Sequence, residues 1–245
     1  MIVLFTDLDG TLLDHHTYRP GPALPELRRL QAAGVLVVPA TAKTPAELAW
    51  LADEFGLPGP YIAENGAAVV GAGVDRVLGL PYDEVRARLR DAAGAAGAEV
   101  AGFGDATVED VMSWTGLDRP AAVRARQRRW SETFRLLSGD ECALAAALAE
   151  RGLTMARGAR FRTALGRHDK GDAARLLLAV LGPDAVSWAV GDAANDFALL
   201  AAVRHPMLVR AHDGTWADLD LPDLLRLDGI GPAGWAQAAR HILPP

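Results

Sequence analysis

The chain opens on a run of apolar, β-leaning positions, 2–6, that stops at Asp7-Leu8-Asp9-Gly10-Thr11, an acidic stretch containing a glycine. Leucines at 24, 27 and 30 follow at helical spacing, and Gly34 stands where a C-cap would end them, so 22–33 is expected to be a helix. A second buried run, 35–38, closes on Ala40-Thr41-Ala42-Lys43. Thr44-Pro45-Ala46-Glu47 then carries the cap, the first-turn proline and the acid three residues after the cap that open a helix. Tyr61-Ile62-Ala63 reads as a third strand, followed by Glu64-Asn65-Gly66-Ala67 and a hairpin through Val77. This alternation predicts right-handed crossovers and a parallel sheet covered by helices on both faces.

Near Tyr82 the rhythm changes. Charged or alanine-rich helical patterns are expected at 83–93, 107–115, 120–129 and 138–151, with loop and strand around 94–104. After Arg160-Phe161-Arg162 the first rhythm returns: a helix over 170–181, a strand over 186–190 ending at Gly191-Asp192, and further elements through the tail. The expected organisation is therefore a doubly wound α/β core, 1–81 and 165–245, interrupted by an α+β insert at 82–164.

Composition narrows this picture. With 245 residues, half of them hydrophobic, the chain can bury one large core with a smaller inserted unit. Twenty-five basic against 31 acidic side chains, a net charge of −6, argue against a general nucleic-acid binder. The single cysteine, Cys142, fits a reducing cytoplasm and is expected to pack inside an alanine-rich helix. No apolar run approaches the roughly 20 residues of a membrane span, and the first residues lack the basic start of a leader. A cytoplasmic chain, monomer or homodimer, acting on a small molecule with no membrane or nucleic-acid partner, is the expectation. Only two of the 25 basic residues are lysine, Lys43 and Lys170. In a chain so biased toward arginine, a retained lysine marks a place where a compact ammonium is wanted and a wide guanidinium does not fit.

Both lysines fall among four segments placed at strand ends or helix starts, where ligands bind in open α/β sheets. These are Asp7-Leu8-Asp9-Gly10-Thr11, Thr41-Ala42-Lys43, Lys170-Gly171 and Gly191-Asp192-Ala193-Ala194-Asn195-Asp196. In that order they resemble the haloacid dehalogenase superfamily of phosphatases, a doubly wound parallel-sheet fold with an inserted cap. A phosphate monoester is a dianion, so an anionic nucleophile reaches it only when cations neutralise the site. Asp7 is the candidate nucleophile and Asp9 the candidate general acid and base. Asp7 and Asp192 offer hard oxygens suited to Mg²⁺. The resemblance adds the main chain of Asp9 as a metal ligand, with Asn195 and Asp196 positioning the metal's waters and the lysine. Thr41 and Lys170 would hold phosphoryl oxygens, and Gly10 and Thr11 would let the loop approach the phosphate.

Further segments narrow the resemblance. Thr41-Ala42-Lys43-Thr44, Gly102-Phe103-Gly104-Asp105, Thr115-Gly116-Leu117, Arg128-Arg129-Trp130-Ser131-Glu132-Thr133 and Arg157-Gly158-Ala159-Arg160-Phe161 are similar to those of mannosyl-3-phosphoglycerate phosphatases. Arg129-Trp130 stands where that family has Glu-Tyr, and Ala159 where it has Gly. The resemblance implies Mg²⁺-dependent hydrolysis of 2-O-(α-mannosyl)-3-phosphoglycerate, a phosphorylated glycoside, to mannosylglycerate and phosphate. A carboxylate on the substrate calls for a cation or free amides. The candidates for contacts outside the phosphate pocket are Lys43, Glu64, Asn65, Arg128, Ser131, Arg160 and Arg167.

Structural readings compete at several of these positions. Arg124, Arg126, Arg128 and Arg129 fit the solvated face of a helix, His168 fits a helix cap or surface loop, and Trp114 and Trp130 fit the core of the insert. Three other functions stay open on sequence: a phosphatase of glucosyl-3-phosphoglycerate, sucrose-phosphate or trehalose-phosphate; a phosphomannomutase; and a phospho-accepting receiver. The last is disfavoured by the insert and by Asp9.

Overall fold

The computed structural model describes residues 1–158 and 160–244; Ala159, and Pro245 at the end of the expected core, lie outside the described residues. In chain order the first elements are β1 (Ile2–Thr6), α1 (Ala23–Ala32), β2 (Leu36–Pro39), α2 (Pro45–Phe55), β3 (Tyr61–Ala63), β4 (Ala68–Val70) and β5 (Arg76–Val77). Next come α3 (Tyr82–Ala95), β6 (Glu99–Gly102), α4 (Val108–Thr115), α5 (Arg119–Arg126), β7 (Ser131–Ser138), α6 (Glu141–Glu150), β8 (Thr154–Arg157) and β9 (Arg162–Leu165). The chain closes with α7 (Lys170–Leu181), β10 (Val186–Gly191), α8 (Phe197–Leu200), β11 (His205–Arg210), β12 (Leu225–Ile230) and α9 (Gly231–Ile242).

A parallel sheet of five strands, ordered β12-β11-β10-β1-β2, forms the centre. The β1 run is apolar without alternation because both faces of that strand are covered. Val3 and Phe5 face Ala173, Ala174 and Leu177 of α7, whereas Leu4 faces Leu27 of α1, Leu48 of α2 and Trp235 of α9. Trp235 is fully buried, and its Nε1 donates to Thr6 Oγ1 at 2.9 Å. The Thr6 hydroxyl in turn donates to the Asp7 carbonyl, which steadies the turn that follows β1. Beside β2, strands β3, β4 and β5 make a small antiparallel sheet, joined to it by a single pairing of Ala40 with Ile62.

The other sheet is antiparallel, in the order β6-β7-β9-β8, and carries α3 and α6 on one face. Val85 and Leu89 of α3, Leu144 and Leu148 of α6 and Phe134 of β7 form its core. Helices α4 and α5 cover Phe103 with Val111, Ala122 and Ala125.

Strand β7, which pairs on both sides, is the element least visible beforehand. Its first half buries Ser131, Glu132 and Thr133 together with Phe134, so no alternation of apolar and polar positions marks it. The helical pattern expected at 120–129 ends at Arg126, so Arg128 and Arg129 lie outside any helix, and Arg128 is buried rather than solvated. Cys142 is exposed on α6, not packed. Trp130 is buried as expected, against Ala67 and Ala68. Among the described residues no helix is long and apolar enough to cross a membrane.

Candidate active site

Four loops meet at the carboxyl ends of β1, β2 and β10 and at the start of α7. The Asp7 amide donates to the Val190 carbonyl at 2.9 Å, which carries the β1–β10 ladder one residue beyond the strand. Gly10, at φ +89, then turns the loop back so that its amide reaches the Leu13 carbonyl. A Cβ at Gly10 would stand 2.7 Å from Asp192 Oδ2, so glycine here lets the Asp192 carboxylate come up against the backbone of the first loop.

Lys170 is the first residue of α7, set by its N-cap Asp169, whose side chain accepts from the Asp172 amide. The Lys170 ammonium is buried and lies 2.6 Å from Asp7 Oδ1 and 2.8 Å from Asp196 Oδ1. The second oxygen of Asp196 accepts from the Asp192 and Ala193 amides at 3.2 and 3.3 Å. Asp192 Oδ1 accepts from Thr11 Oγ1 at 2.8 Å. The chain's other lysine makes a matching pair one step along the loop: Lys43 Nζ is 2.8 Å from Asp9 Oδ2. Each acid of the Asp7-Leu8-Asp9 loop thus holds one of the two lysines. The second oxygen of Asp9, Oδ1, is buried and has no partner. Thr41 is buried beside Lys43, and its hydroxyl accepts from the Lys43 amide at 3.3 Å.

Carboxylate oxygens of Asp7, Asp192 and Asp196 lie within 4.8 Å of one another, with one ammonium among them. Burial pushes Asp7 well above the usual carboxylate range, the Lys170 charge pulls the other way, and Asp196 and Asp192 add to the rise. Asp192 is pushed up to about 7, by burial first and then by Asp196. For both lysines burial works against the ammonium, but Asp196 and Asp7 around Lys170, and Asp9 and Glu47 around Lys43, outweigh it and hold them above the ordinary value. An excess of hard, partly desolvated carboxylate oxygens at one point fits a divalent cation. Asp192 and the second oxygen of Asp7 would hold it, because Asp196 already spends both its oxygens on Lys170 and two amides. The Asp9 side chain turns to Lys43, and Asn195 is exposed on the rim of a cavity of about 340 Å³ that Lys170 and Asn65 also line.

The sign of the Asp192 shift gives a test. A carboxyl whose folded pKa exceeds its unfolded one supplies stability in acid that is lost as pH rises through about 7. A cation competes with that proton and restores the loss. The rise in melting temperature on adding Mg²⁺ is therefore expected to be small at pH 5.5 and to grow toward pH 8. Equal rises at both pH values would detach the cation from these carboxylates.

Three other candidates meet elsewhere. Glu64 is fully buried, and its carboxylate accepts from the Arg129 and Trp130 amides and from Ser131 Oγ at 2.8, 3.1 and 2.6 Å. Arg128 donates to Ser131 Oγ and to the Ala42 carbonyl, 2.7 and 3.1 Å away. Glu64, Arg128 and Ser131 thus satisfy one another across the junction of the two sheets. Glu64, Asn65 and Gly66 all take positive φ, and a Cβ at Gly66 would fall 2.0 Å from the Asp169 carbonyl, which presses this turn against the start of α7. Glu64→Ala leaves two backbone amides without their acceptor, that of Trp130 being buried, and is expected to cost about 2–3 kcal/mol in chemical denaturation, with faster hydrogen exchange at 129 and 130. A loss within experimental error would make the junction redundant.

Arg167 is exposed, donating to the Ala149 carbonyl, and Arg160, also exposed, donates to that of Thr115. His168 is neither cap nor surface residue: Asp169 caps α7, and the His168 ring is buried against Gly166 with both nitrogens unpartnered. Burial holds its pKa below the ordinary value. Sequence reasoning passed over His15, His16 and His212, which meet beside Asp9. The two adjacent histidines just after the acidic loop were the available signal.

Residues 4–83 match the model of the haloacid dehalogenase-like hydrolases. The chain is 34% identical to the glucosyl-3-phosphoglycerate/mannosyl-3-phosphoglycerate phosphatase of Methanococcoides burtonii, covering 98% of this chain and 97% of that one. The chain belongs to that phosphatase family. The enzyme of the same name from Persephonella marina is 30% identical over 99% of this phosphatase and 97% of its own length. A solved subclass IIB sugar phosphatase of the superfamily shares the fold, with a TM-score of 0.70, 19% identity and 99% of each chain covered. This phosphatase is accordingly a phosphoric monoester hydrolase. Phosphatases of its superfamily use a metal ion, in keeping with the cluster of Asp7, Asp192 and Asp196.

Proposed function

We propose that this phosphatase releases phosphate from 2-O-(α-mannosyl)-3-phosphoglycerate, with the glucosyl compound as its near alternative, through an aspartyl-phosphate on Asp7. The observation that carries the reading is the pairing of each loop acid with its own lysine, in a chain kin over its full length to phosphatases named for these two substrates. Lys170 and the Thr41 hydroxyl orient the phosphoryl oxygens, the loop amides around Gly10 approach the same group, and Asp7 attacks phosphorus. The bond from phosphorus to the glycerate oxygen breaks as Asp9 delivers a proton to that oxygen. Asp9 then takes a proton from water, the water oxygen joins phosphorus, and the bond to Asp7 breaks. Lys43 fixes Asp9 by Oδ2 and leaves Oδ1 free for both transfers. Mg²⁺ held by Asp7 and Asp192, with the Asp9 carbonyl, Asn195 and Asp196 around it, would offset phosphoryl charge. Residues 82–164 serve as a cap that excludes bulk water.

The test is phosphate release, with Mg²⁺ and with EDTA, from mannosyl-3-phosphoglycerate, glucosyl-3-phosphoglycerate, 3-phosphoglycerate and mannose 6-phosphate. Preference for the glycosyl phosphoglycerates, lost in EDTA, is expected. Equal use of mannose 6-phosphate would discard the substrate and keep the reaction. Asp9→Asn is expected to lower kcat by about 10²- to 10³-fold, as loss of a general acid does. A variant within a factor of three of the parent would remove Asp9 from the proton transfers.

A further inference from the structure

The mouth of the site holds three imidazoles that the reaction as derived does not use. After Leu13 the chain makes a tight turn, with the Tyr18 amide donating to the Asp14 carbonyl and the Asp14 amide to that of Arg19, each at 2.9 Å. Asp14 Oδ1 ties the turn together by accepting from the His16 and Thr17 amides. Tyr18 thereby lies under the Lys43 ammonium, 5.4 Å from ring centre to Nζ. His15 meets His212, which comes from the loop after β11, and their rings stack at 4.0 Å and 6°. His16 stands edge-on to both, at 5.0 and 5.8 Å.

The charged or titratable groups facing His15 are His212, His16, Asp9 and Arg160, the last from the turn between β8 and β9. The one acid among them, Asp9, is already paired with Lys43. Two more acids lie close, Asp14 beside His16 and Asp213 beside His212, but they accept from Thr17 and Thr215, and among the described residues no acid is hydrogen-bonded to any of the three rings. Among the other basic candidates, Arg128 is held by Ser131 and Ala42 and Arg167 by Ala149, whereas Arg160, near His15, gives Nη2 to the Thr115 carbonyl. A 3-phosphoglycerate unit carries a second anion, its carboxylate, two carbons from the carbon whose oxygen faces Asp9.

We propose that the stacked His15–His212 pair, with Arg160 nearby, binds the carboxylate of the substrate and makes the enzyme select phosphoglycerates over phosphate esters that lack a carboxylate. This rests on the substrate reading above. Burial, with His212 and His16 close by, holds His15 below its ordinary pKa; each ring can turn an N–H toward a carboxylate, and Arg160 supplies a fixed charge.

The experiment compares glucosyl-3-phosphoglycerate with its carboxyl methyl ester, which keeps sugar and phosphate and removes only the charge. The parent is expected to favour the acid. His15→Ala and His212→Ala are each expected to raise KM for the acid about 10- to 100-fold, the range for a hydrogen bond to a charged group, with kcat little changed and the ester unaffected. The preference for acid over ester then collapses. His15→Gln, which keeps an N–H donor, should recover part of it. Variants that keep the parent's acid-to-ester ratio, or that raise KM equally for both compounds, overturn the proposal. Should the parent hydrolyse neither glycosyl compound, the substrate reading falls, and 3-phosphoglycerate against glycerol 3-phosphate poses the same question. Absence of a histidine-dependent preference for the acid in that pair also overturns the proposal.

Discussion

Asp7→Asn is expected to fall to background turnover, a loss on the order of 10⁴-fold or more, and yet to melt at a higher temperature than the parent. The amide has the shape of the carboxyl but cannot form the aspartyl-phosphate. Its effect on stability follows from the direction of the Asp7 shift: burial, then Asp196 and Asp192, hold its pKa well up despite the Lys170 charge. A carboxyl with a raised folded pKa gives stability that is present in acid and lost as pH rises. The neutral amide escapes that loss. The gain in melting temperature, measured in EDTA, is therefore expected to be largest near pH 8 and to vanish below the ordinary carboxylate range. Phosphate release within 100-fold of the parent would remove Asp7 as nucleophile. A lower melting temperature across the whole pH range would mean that its pairing with Lys170 outweighs the cost of its burial.

Lys170→Ala acts in the opposite sense on stability. It leaves Asp7, Asp192 and Asp196 facing one another with no ammonium, and Asp196 is wholly buried. Breaking a buried pair from one side costs about 3–5 kcal/mol, so the melting temperature should drop by roughly 10 °C in a chain of this size. Turnover is expected to fall about 10³-fold with the loss of a cation from the phosphoryl site. Added Mg²⁺ should recover more of the stability than of the rate, because the cation relieves repulsion without replacing the oriented donor. Lys170→Arg is the sharper variant. The buried ammonium reaches two carboxylates, at 2.6 and 2.8 Å, as a compact point charge, a geometry that a wide planar fork does not reproduce. Its turnover is expected to stay below a tenth of the parent's. Full activity in Lys170→Arg would dissolve the argument that an arginine-rich chain keeps lysine only where the site demands it.

Lys43, Asp7 and Asp9 follow apolar runs and Lys170 opens a helix, and strand ends and helix starts on one side of a parallel sheet converge whatever lies between them. The meeting of the two lysines with the acidic loops was legible for this reason. The junction between the sheets was not. Glu64 and the Arg129 and Trp130 amides are distant in sequence, and a backbone donor leaves no trace in residue identity. Arg128 carried a visible charge, but a charge fits a solvated face as well as a buried bond, and only its burial decides. Strand β7 was hidden by the same junction, since the polar residues that face it break the alternation a strand normally shows. His15 and His212 met only once β11 had been laid two places from β1 in the sheet, an order that spacing along the chain does not encode.

The Glu64 carboxylate has one further consequence, a mechanical one. It belongs to the turn beside the parallel sheet but grips the backbone of 129–131, where the chain enters β7. A grip of this kind acts as a fulcrum: if the antiparallel sheet swings while it holds, the chain at 129–131 stays nearly still, and travel grows with distance from it. The turn carrying Arg160, at the far end of β9 from Leu165, the partner of Ser131, stands at the long end of that lever. A rotation about Glu64 would therefore carry Arg160 farther than it carries residues 129–131.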